Sequence, residues 1–253
     1  MVTVAHHGGV ALLTLNLPDR RNVLSAALVE AIVEALDACE RDASVRCLVL
    51  TGAGPAFCAG AELEVLRAAA RGEFQNVEKV YGGFLRVLAC PLPTIAAVNG
   101  PAVGAGFNLA LACDVRLAGP RARFDTRFAQ LHLHPGGGHA WLLARAVGRQ
   151  QAMMACLFGE TWDAARALEV GLVAAVHDDL SLVDAAVALG RRLDGQEGDF
   201  TRTLVSTLRA SIVTPGHAEA LAHETEAQRW STTRPAFLEG LAELEAELAK
   251  SPR

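Results

Sequence analysis

Two short stretches decide how this chain reads: Phe57-Cys58-Ala59-Gly60-Ala61-Glu62-Leu63 and Asn99-Gly100-Pro101-Ala102-Val103-Gly104-Ala105-Gly106-Phe107-Asn108-Leu109-Ala110. Each comes shortly after an apolar run, residues 48–51 for the first and 94–98 for the second. Each packs small residues into a turn and then opens an apolar, helix-like stretch. Amides at the start of a helix have no partner inside it and lie at the positive end of its dipole. Two such turns brought together would hold one negatively charged oxygen between two N–H groups. That arrangement is an oxyanion hole, often the largest single contribution to acyl chemistry.

The rest of the chain places these turns in an α/β protein. Residues 10–16 alternate and predict a strand. Ser25 can cap a helix whose apolar face is Leu28, Ile32, Ala35, Leu36 and Cys39. Residues 47–51 predict a buried strand, and 59–70 and 80–88 predict helices. Residues 94–98 and 115–118 read as strands, with a small, buried helix over 105–113 between them. A proline- and glycine-rich connection over 131–138 leads into a helix over 140–147, which Gly148 can end. Thr161 and Ser181 are expected caps for helices over 163–170 and 182–193. Alternating strands and helices up to about residue 190 argue α/β. Asp194-Gly195-Gln196-Glu197-Gly198-Asp199 reads as a linker, after which the chain is helical, with Phe237, Leu241, Leu244 and Leu248 on one stripe. Such a stripe needs a partner surface.

Composition narrows the class. The 253 residues are 51% hydrophobic and 20% charged, which predicts a soluble globular chain with one sizeable core. A net charge of −5 without a basic face gives no support for nucleic-acid binding. No apolar segment reaches membrane-spanning length, and residues 1–8 lack the pattern of a signal peptide. The six cysteines form no C-x-x-C pair and read as reduced core residues of a cytoplasmic protein. Gly52-Ala53-Gly54 does not extend to a dinucleotide fingerprint, and the chain has neither a Walker A pattern nor a G-x-S-x-G elbow.

Further matches run in order along the chain: Gly9-Val10-Ala11-Leu12-Leu13-Thr14-Leu15-Asn16-Leu17-Pro18, Arg21-Asn22-Val23-Leu24, Val49-Leu50-Thr51-Gly52, Ala112-Cys113-Asp114-Val115-Arg116, Pro135-Gly136-Gly137-Gly138 and Ala167-Leu168-Glu169-Val170-Gly171-Leu172-Val173. With the two glycine turns, they resemble the enoyl-CoA hydratase/isomerase family, the crotonase superfamily, over nearly the whole chain. The resemblance implies a spiral of stacked β-β-α turns in residues 1–193, binding acyl-CoA. It also implies a helical trimerisation segment in 194–253, giving a homotrimer or a dimer of trimers. Coenzyme A would enter as part of the substrate, with no permanently bound cofactor.

Carried over residue by residue, the resemblance assigns the oxyanion hole to the N–H groups of Ala61 and Ala105. The second position is usually glycine in the family and is alanine here; the N–H survives the change. Ala59, Gly60 and Ala61 would lie against the adenine and pantetheine ends of coenzyme A. Gly104, Gly106, Asn108 and Phe128 would also touch substrate, and Arg21 would approach phosphate groups, unless it makes a surface salt bridge. Lys250 and Arg253 are weaker candidates for a neighbour's nucleotide. The family's hydratases use two glutamates on water. Their places hold Asn108 and Phe128, neither of which can act as a base. Glu64 and His134 are the substitute bases to weigh. His132 and His134 would point the same way if that piece is extended, but surface or subunit-contact roles compete with catalysis for both. Asp125, Arg127 and His139 flank the lost position, with His139 read as local to its helix. His132 and His134 with Asp125 lack a clear further ligand for a metal. Glu62 is expected to support a helix start and Asp114 to be structural, with Tyr81 in the core or pocket wall. Two functions stay open: an acyl-CoA enzyme with a non-standard proton-transfer group, or a non-catalytic acyl-CoA-binding protein that kept the fold and lost the bases.

Overall fold

The apolar run that begins at Cys47 becomes a strand in which all six residues are buried, as a strand inside a covered parallel sheet must be. The structure, a computed structural model, describes residues 1–250, apart from the side chains of residues 247, 249 and 250. Its strands are β1 (Val2–His7), β2 (Val10–Leu15), β3 (Cys47–Gly52), β4 (Thr94–Val98), β5 (Pro101–Val103), β6 (Val115–Ala118), β7 (Arg123–Asp125), β8 (Trp162–Asp163) and β9 (Ala175–Val176). The larger sheet has the order β1-β2-β3-β4-β6-β9, antiparallel between β1 and β2 and parallel elsewhere. Leu50 stands opposite Ala96, and Ala96 opposite Arg116. A second sheet has the order β5-β7-β8.

The helices are α1 (Ala26–Arg41), α2 (Leu63–Ala70), α3 (Gln75–Leu88), α4 (Ala105–Leu111), α5 (His139–Cys156), α6 (Ala164–Glu169), α7 (Leu182–Gly190), α8 (Gly198–Val213), α9 (His217–Ser231) and α10 (Pro235–Lys250). The expected α/β class is the observed one. The Ser25 hydroxyl accepts from the Leu28 N–H at 3.1 Å, and α1 buries Leu28, Val29, Ile32, Leu36 and Cys39. Gly148 interrupts α5 with φ 78° and ψ 165°, ending its first half where the sequence places the stop.

Several boundaries differ from expectation. The stretch from residue 59 is not helical until Leu63, because the Gly60 carbonyl accepts from the Leu24 N–H at 2.8 Å and Ala61 bridges Leu24. The helix expected from Val80 begins at Gln75. Asp163, not Thr161, caps α6, its carboxylate accepting from the Arg166 N–H at 2.9 Å. Ser181 precedes α7 but donates to the Asp178 carbonyl at 3.2 Å, away from the helix. β1 was not anticipated from sequence: five of its six residues are exposed, so it carries no alternation to read.

The chain divides into two units, Met1–Asp194 and a second beginning at Gly195. The first holds both sheets and two apolar cores. The larger core packs α1, α3, α4 and α5 on the sheet through residues such as Leu28, Phe84, Phe107 and Leu143. The smaller lies on the other face, where Leu182 and Ala186 of α7 cover Val10, Cys47, Val49, Ile95, Ala97 and Leu117. The second unit is helical. Phe237, Leu241, Leu244 and Leu248 are exposed among the described residues. Arg253 and the side chain of Lys250 lie outside the described residues.

One buried side chain fastens the approach to the first glycine turn. Asn22 has no exposed surface and sits at φ 55°, a conformation asparagine tolerates better than most residues. Its Nδ2 donates to the carbonyls of Ala53, Ala56 and Phe57 at 2.9–3.2 Å, and its Oδ1 accepts from the Leu17 N–H at 2.9 Å. Asn22→Ala strands these buried carbonyls and should cost about 3 kcal/mol or more of stability. Urea unfolding followed by circular dichroism checks this. Asn22→Asp, which keeps the acceptor and loses both donors, should be destabilised as well.

Candidate functional site

The two glycine turns meet because their main chains pair. The Cys58 N–H donates to the Pro101 carbonyl at 3.1 Å, and the Cys58 carbonyl accepts from the Val103 N–H at 3.0 Å. A Cβ on Gly106 would overlap the Cys58 carbonyl oxygen, and one on Gly60 would lie 2.7 Å from the Val103 carbonyl oxygen. Gly60 has φ +98° and Gly104 φ +53°, so both also need the freedom of glycine. The Gly104 N–H is held by the Asp125 carbonyl at 2.9 Å. Ala105 then begins α4, where a first residue has no intrahelical acceptor. Among the described residues, neither the Ala105 N–H nor the Ala61 N–H makes a hydrogen bond. The Cβ position of Gly60 is 3.8 Å from the Ala105 nitrogen, so the two open donors belong to adjoining backbone.

The remaining expected contacts divide. Ala59, half-buried, donates its N–H to the Arg21 carbonyl at 3.0 Å. The Arg21 side chain is exposed and makes no ion pair among the described residues. Gly106 serves the close approach of the two turns, its open face already filled by Cys58.

Asn108 and Phe128, far apart in sequence, converge on one histidine. Asn108 Nδ2 donates to the Gly136 carbonyl at 3.1 Å, and its Oδ1 lies 2.6 Å from His139 Nδ1. A carbonyl only accepts, so the Gly136 contact fixes the amide orientation. Nδ1 must then carry the proton, and Nε2 carries a lone pair. Nε2 is buried and has no hydrogen-bond partner. The rings of Phe128 and Phe107 meet the imidazole edge-on, with centroids 5.1 and 5.4 Å away. Burial holds the His139 pKa down at about 4, so the ring is neutral at pH 7. A buried acceptor without a donor costs about 1–3 kcal/mol.

Tyr81 completes this corner. It packs on Phe84 with centroids 5.6 Å apart, and its hydroxyl lies where a side chain on Gly136 would go. Burial raises its pKa, outweighing the hydrogen bond from the Gly137 N–H, so it keeps its proton.

The other polar candidates lie elsewhere. Glu64 is exposed and pairs with Arg71 at 3.0 Å and Arg67 at 3.5 Å. The hydrogen bond from Arg71 is the main reason its carboxyl sits below the usual range, which weakens it as a base. Glu62 begins α2 and pairs with Arg20 at 2.6 Å, without a side-chain cap bond. Asp114 accepts from the N–H and hydroxyl of Thr94. Asp125 is buried and binds the backbone and guanidinium of Arg127. His132 is left-handed at φ 52°, so 132–134 is not the extended piece that would align its two rings. Both histidines are exposed, and His134 Nδ1 contacts the Pro135 carbonyl at 2.8 Å. Among the described residues no three His, Cys, Asp or Glu gather as metal ligands. His139 is the group that sequence reasoning passed over. Its signal was present: a histidine just after Gly136-Gly137-Gly138, in a region stripped of carboxylates.

The Enoyl-CoA hydratase/isomerase family model matches residues 5–246. The protein named "Probable enoyl-CoA hydratase EchA14" from Mycobacterium tuberculosis is 47% identical over 216 residues, covering 85% of this chain and 83% of its own. The 1,2-epoxyphenylacetyl-CoA isomerase of Escherichia coli is 42% identical over 193 residues, covering 74% of each chain. Among solved structures, an enoyl-CoA hydratase from Geobacillus kaustophilus HTA426 superposes with a TM-score of 0.90 at 29% identity, covering 100% of this chain and 96% of its own.

The buried neutral histidine has a thermodynamic signature. An unfolded histidine titrates near 6.5 and the folded ring near 4, so the unfolded state binds more protons between those values. This share of stability is complete above about pH 6.5. It falls as the pH drops toward about 4, by up to roughly 3 kcal/mol. Urea titrations at a series of pH values should show that slope, and it should flatten in His139→Gln.

Proposed function

Because the chain belongs to the enoyl-CoA hydratase/isomerase family, we propose that it binds an acyl-CoA thioester and stabilises negative charge on the thioester oxygen between the N–H groups of Ala61 and Ala105. The observation that carries this reading is the pair of open amides on turns that press together too tightly for a Cβ at Gly60 or Gly106. Donors held this rigidly need no reorganisation as charge develops, and each contributes about 3 kcal/mol to an enolate-like transition state. The similarity to a named enoyl-CoA hydratase and a named acyl-CoA isomerase supports the thioester class. Ala59, Gly60 and Gly104 line the thioester, and the exposed guanidinium of Arg21 meets the phosphates of coenzyme A, which is part of the substrate. The cytoplasm, where six cysteines stay as thiols, is the compartment this reading assigns.

The acyl side of the site is neutral. Asn108, Phe128, Tyr81 and His139 surround it, and among the described residues no carboxylate contacts Asn108 or Phe128 to deprotonate a water. Each missing acid–base role removes roughly 10²–10⁴-fold. Ordinary hydration of an enoyl-CoA is therefore not the main activity; the same loss also fits a protein that only binds acyl-CoA.

Calorimetric titration with acyl-CoAs should show binding. Loss of the enoyl absorbance of crotonyl-CoA should run far below the tens to hundreds of turnovers per second of efficient enzymes. Ala61→Pro deletes one donor, and should weaken thioester binding and lower any enolate-forming turnover by roughly 10²–10³-fold. Unchanged affinity and turnover in a folded Ala61→Pro protein overturns the oxyanion assignment.

The same proposal gives the second unit, residues 194–253 in the sequence reading, the role of an assembly segment. The exposed stripe of Phe237, Leu241, Leu244 and Leu248 supports it. Sedimentation should find a trimer or a dimer of trimers at micromolar concentration; a stable monomer contradicts it.

A further inference from the structure

We propose that His139 supplies the proton-transfer group of this site, its Nε2 taking and returning a proton at the α-carbon of the bound thioester while Asn108 holds the ring through Nδ1. The inference rests on the acyl-CoA reading above and adds the residue that does the acid–base work.

Three observations carry it. First, His139 contacts both places where the family's hydratases have carboxylates: Asn108 by a 2.6 Å hydrogen bond and Phe128 by ring contact. Second, the amide of Asn108 is tied to the Gly136 carbonyl, which leaves only its oxygen for the imidazole and so fixes the tautomer with a free lone pair on Nε2. Third, that lone pair is buried and unpartnered in a residue with 1% exposure. A built site keeps such an acceptor when a ligand supplies the donor. Asn108 is on the first turn of α4, three positions after the Ala105 donor, so the amide that holds the His139 ring and one of the two oxyanion donors share one short helix.

The step balances without any other reagent. The Nε2 lone pair takes the α-proton. The C–H electron pair becomes the C=C bond of the enolate, and the thioester π pair moves onto the oxygen held by the Ala61 and Ala105 amides. The Nδ1 proton stays in its bond to Asn108 Oδ1, which orients the imidazolium as an amide does in Cys-His-Asn sites. Returning the proton to the α-carbon, or to a position in conjugation with it, completes the turnover. The elements packed on the ring present no charge to it: α4 offers Phe107 and Asn108, and the segment before residue 129 offers Phe128. Tyr81 of α3, the titratable group nearby, meets the Gly136–Gly137 backbone.

The test is exchange of the α-hydrogens of phenylacetyl-CoA in D₂O, read by mass spectrometry alongside calorimetric affinity. The ring of this probe acidifies its α-hydrogens. Wild type should exchange, and His139→Gln should lose at least about 100-fold of the rate with affinity kept within about threefold. The wild-type rate should be level from pH 8 to 6; a limb near the ordinary histidine value would assign the base to an exposed ring and overturn the proposal. So would exchange within threefold of wild type in folded His139→Gln, or a wild type that binds the probe and exchanges nothing. A wild type that does not bind the probe fails at the acyl-CoA reading itself, and the proposal falls with it. Nitrogen-15 spectra of the wild type provide a check free of any variant. The free protein should show one histidine with a hydrogen-bonded Nδ1 proton and a bare Nε2 whose resonance moves when phenylacetyl-CoA saturates the site. A protonated Nε2 in the free protein, or a resonance that stays put, overturns the assignment.

Discussion

The site depends on two stretches of backbone being closer than any side chain allows. Gly106 faces the Cys58 carbonyl oxygen with no room for a Cβ, and Gly60 faces the Val103 carbonyl in the same way. This contact is main chain against main chain, so it leaves little freedom to either turn. It sets the relative position of the Ala61 and Ala105 amides, and it does so from the ends of β3 and β4, neighbours in one parallel sheet. Asn22 supports it from behind by gathering the carbonyls of the loop that leads into Cys58. Chemistry that needs two donors at fixed separation is thus built from sheet geometry, glycine and one buried amide.

The contrast between the two halves of the site is physical. In the proposed reading the oxyanion side is backbone, so its N–H survives whichever side chain stands at residue 105. The acid–base side is made of side chains and follows their identity. There the structure holds a neutral pair, Asn108 with His139, walled by Phe107 and Phe128. A carboxylate would bring charge that attracts and holds water. This corner has none, and its burial keeps even the imidazole neutral.

Sequence was most informative where local chemistry decides the outcome. Ser25 capped α1, Gly148 broke α5, and the continuous apolar run at residue 47 became an interior strand. All of these follow from interactions within a few residues. It was weaker where tertiary contacts decide. Residues 59–62 stay out of the helix because Leu24 pairs with Gly60 and Ala61 from across the fold, and nothing in Ala59-Gly60-Ala61 announces that partner. β1 escaped notice because an edge strand exposed on both sides has no alternation. The meeting of His139 with Asn108 spans residues far apart in sequence, so it became visible only once α4 and α5 were packed together. The pairing of His132 and His134 failed for the opposite reason, a single left-handed residue that spacing alone does not reveal.

The smaller core also fixes the order in which the molecule can be completed. Val10 lies on the face of the sheet that α7 covers through Leu182 and Ala186. A ribosome adding about 5–20 residues per second makes α7 roughly 10–30 s after Val10. Until then Val10, Val49, Ile95 and Leu117 lack the α7 residues that pack on them in the folded protein. The growing chain therefore carries these apolar side chains without their α7 cover until residues 182–190 have been made. Apolar surface whose cover comes so late in the chain is the kind that makes a partly made protein prone to aggregate.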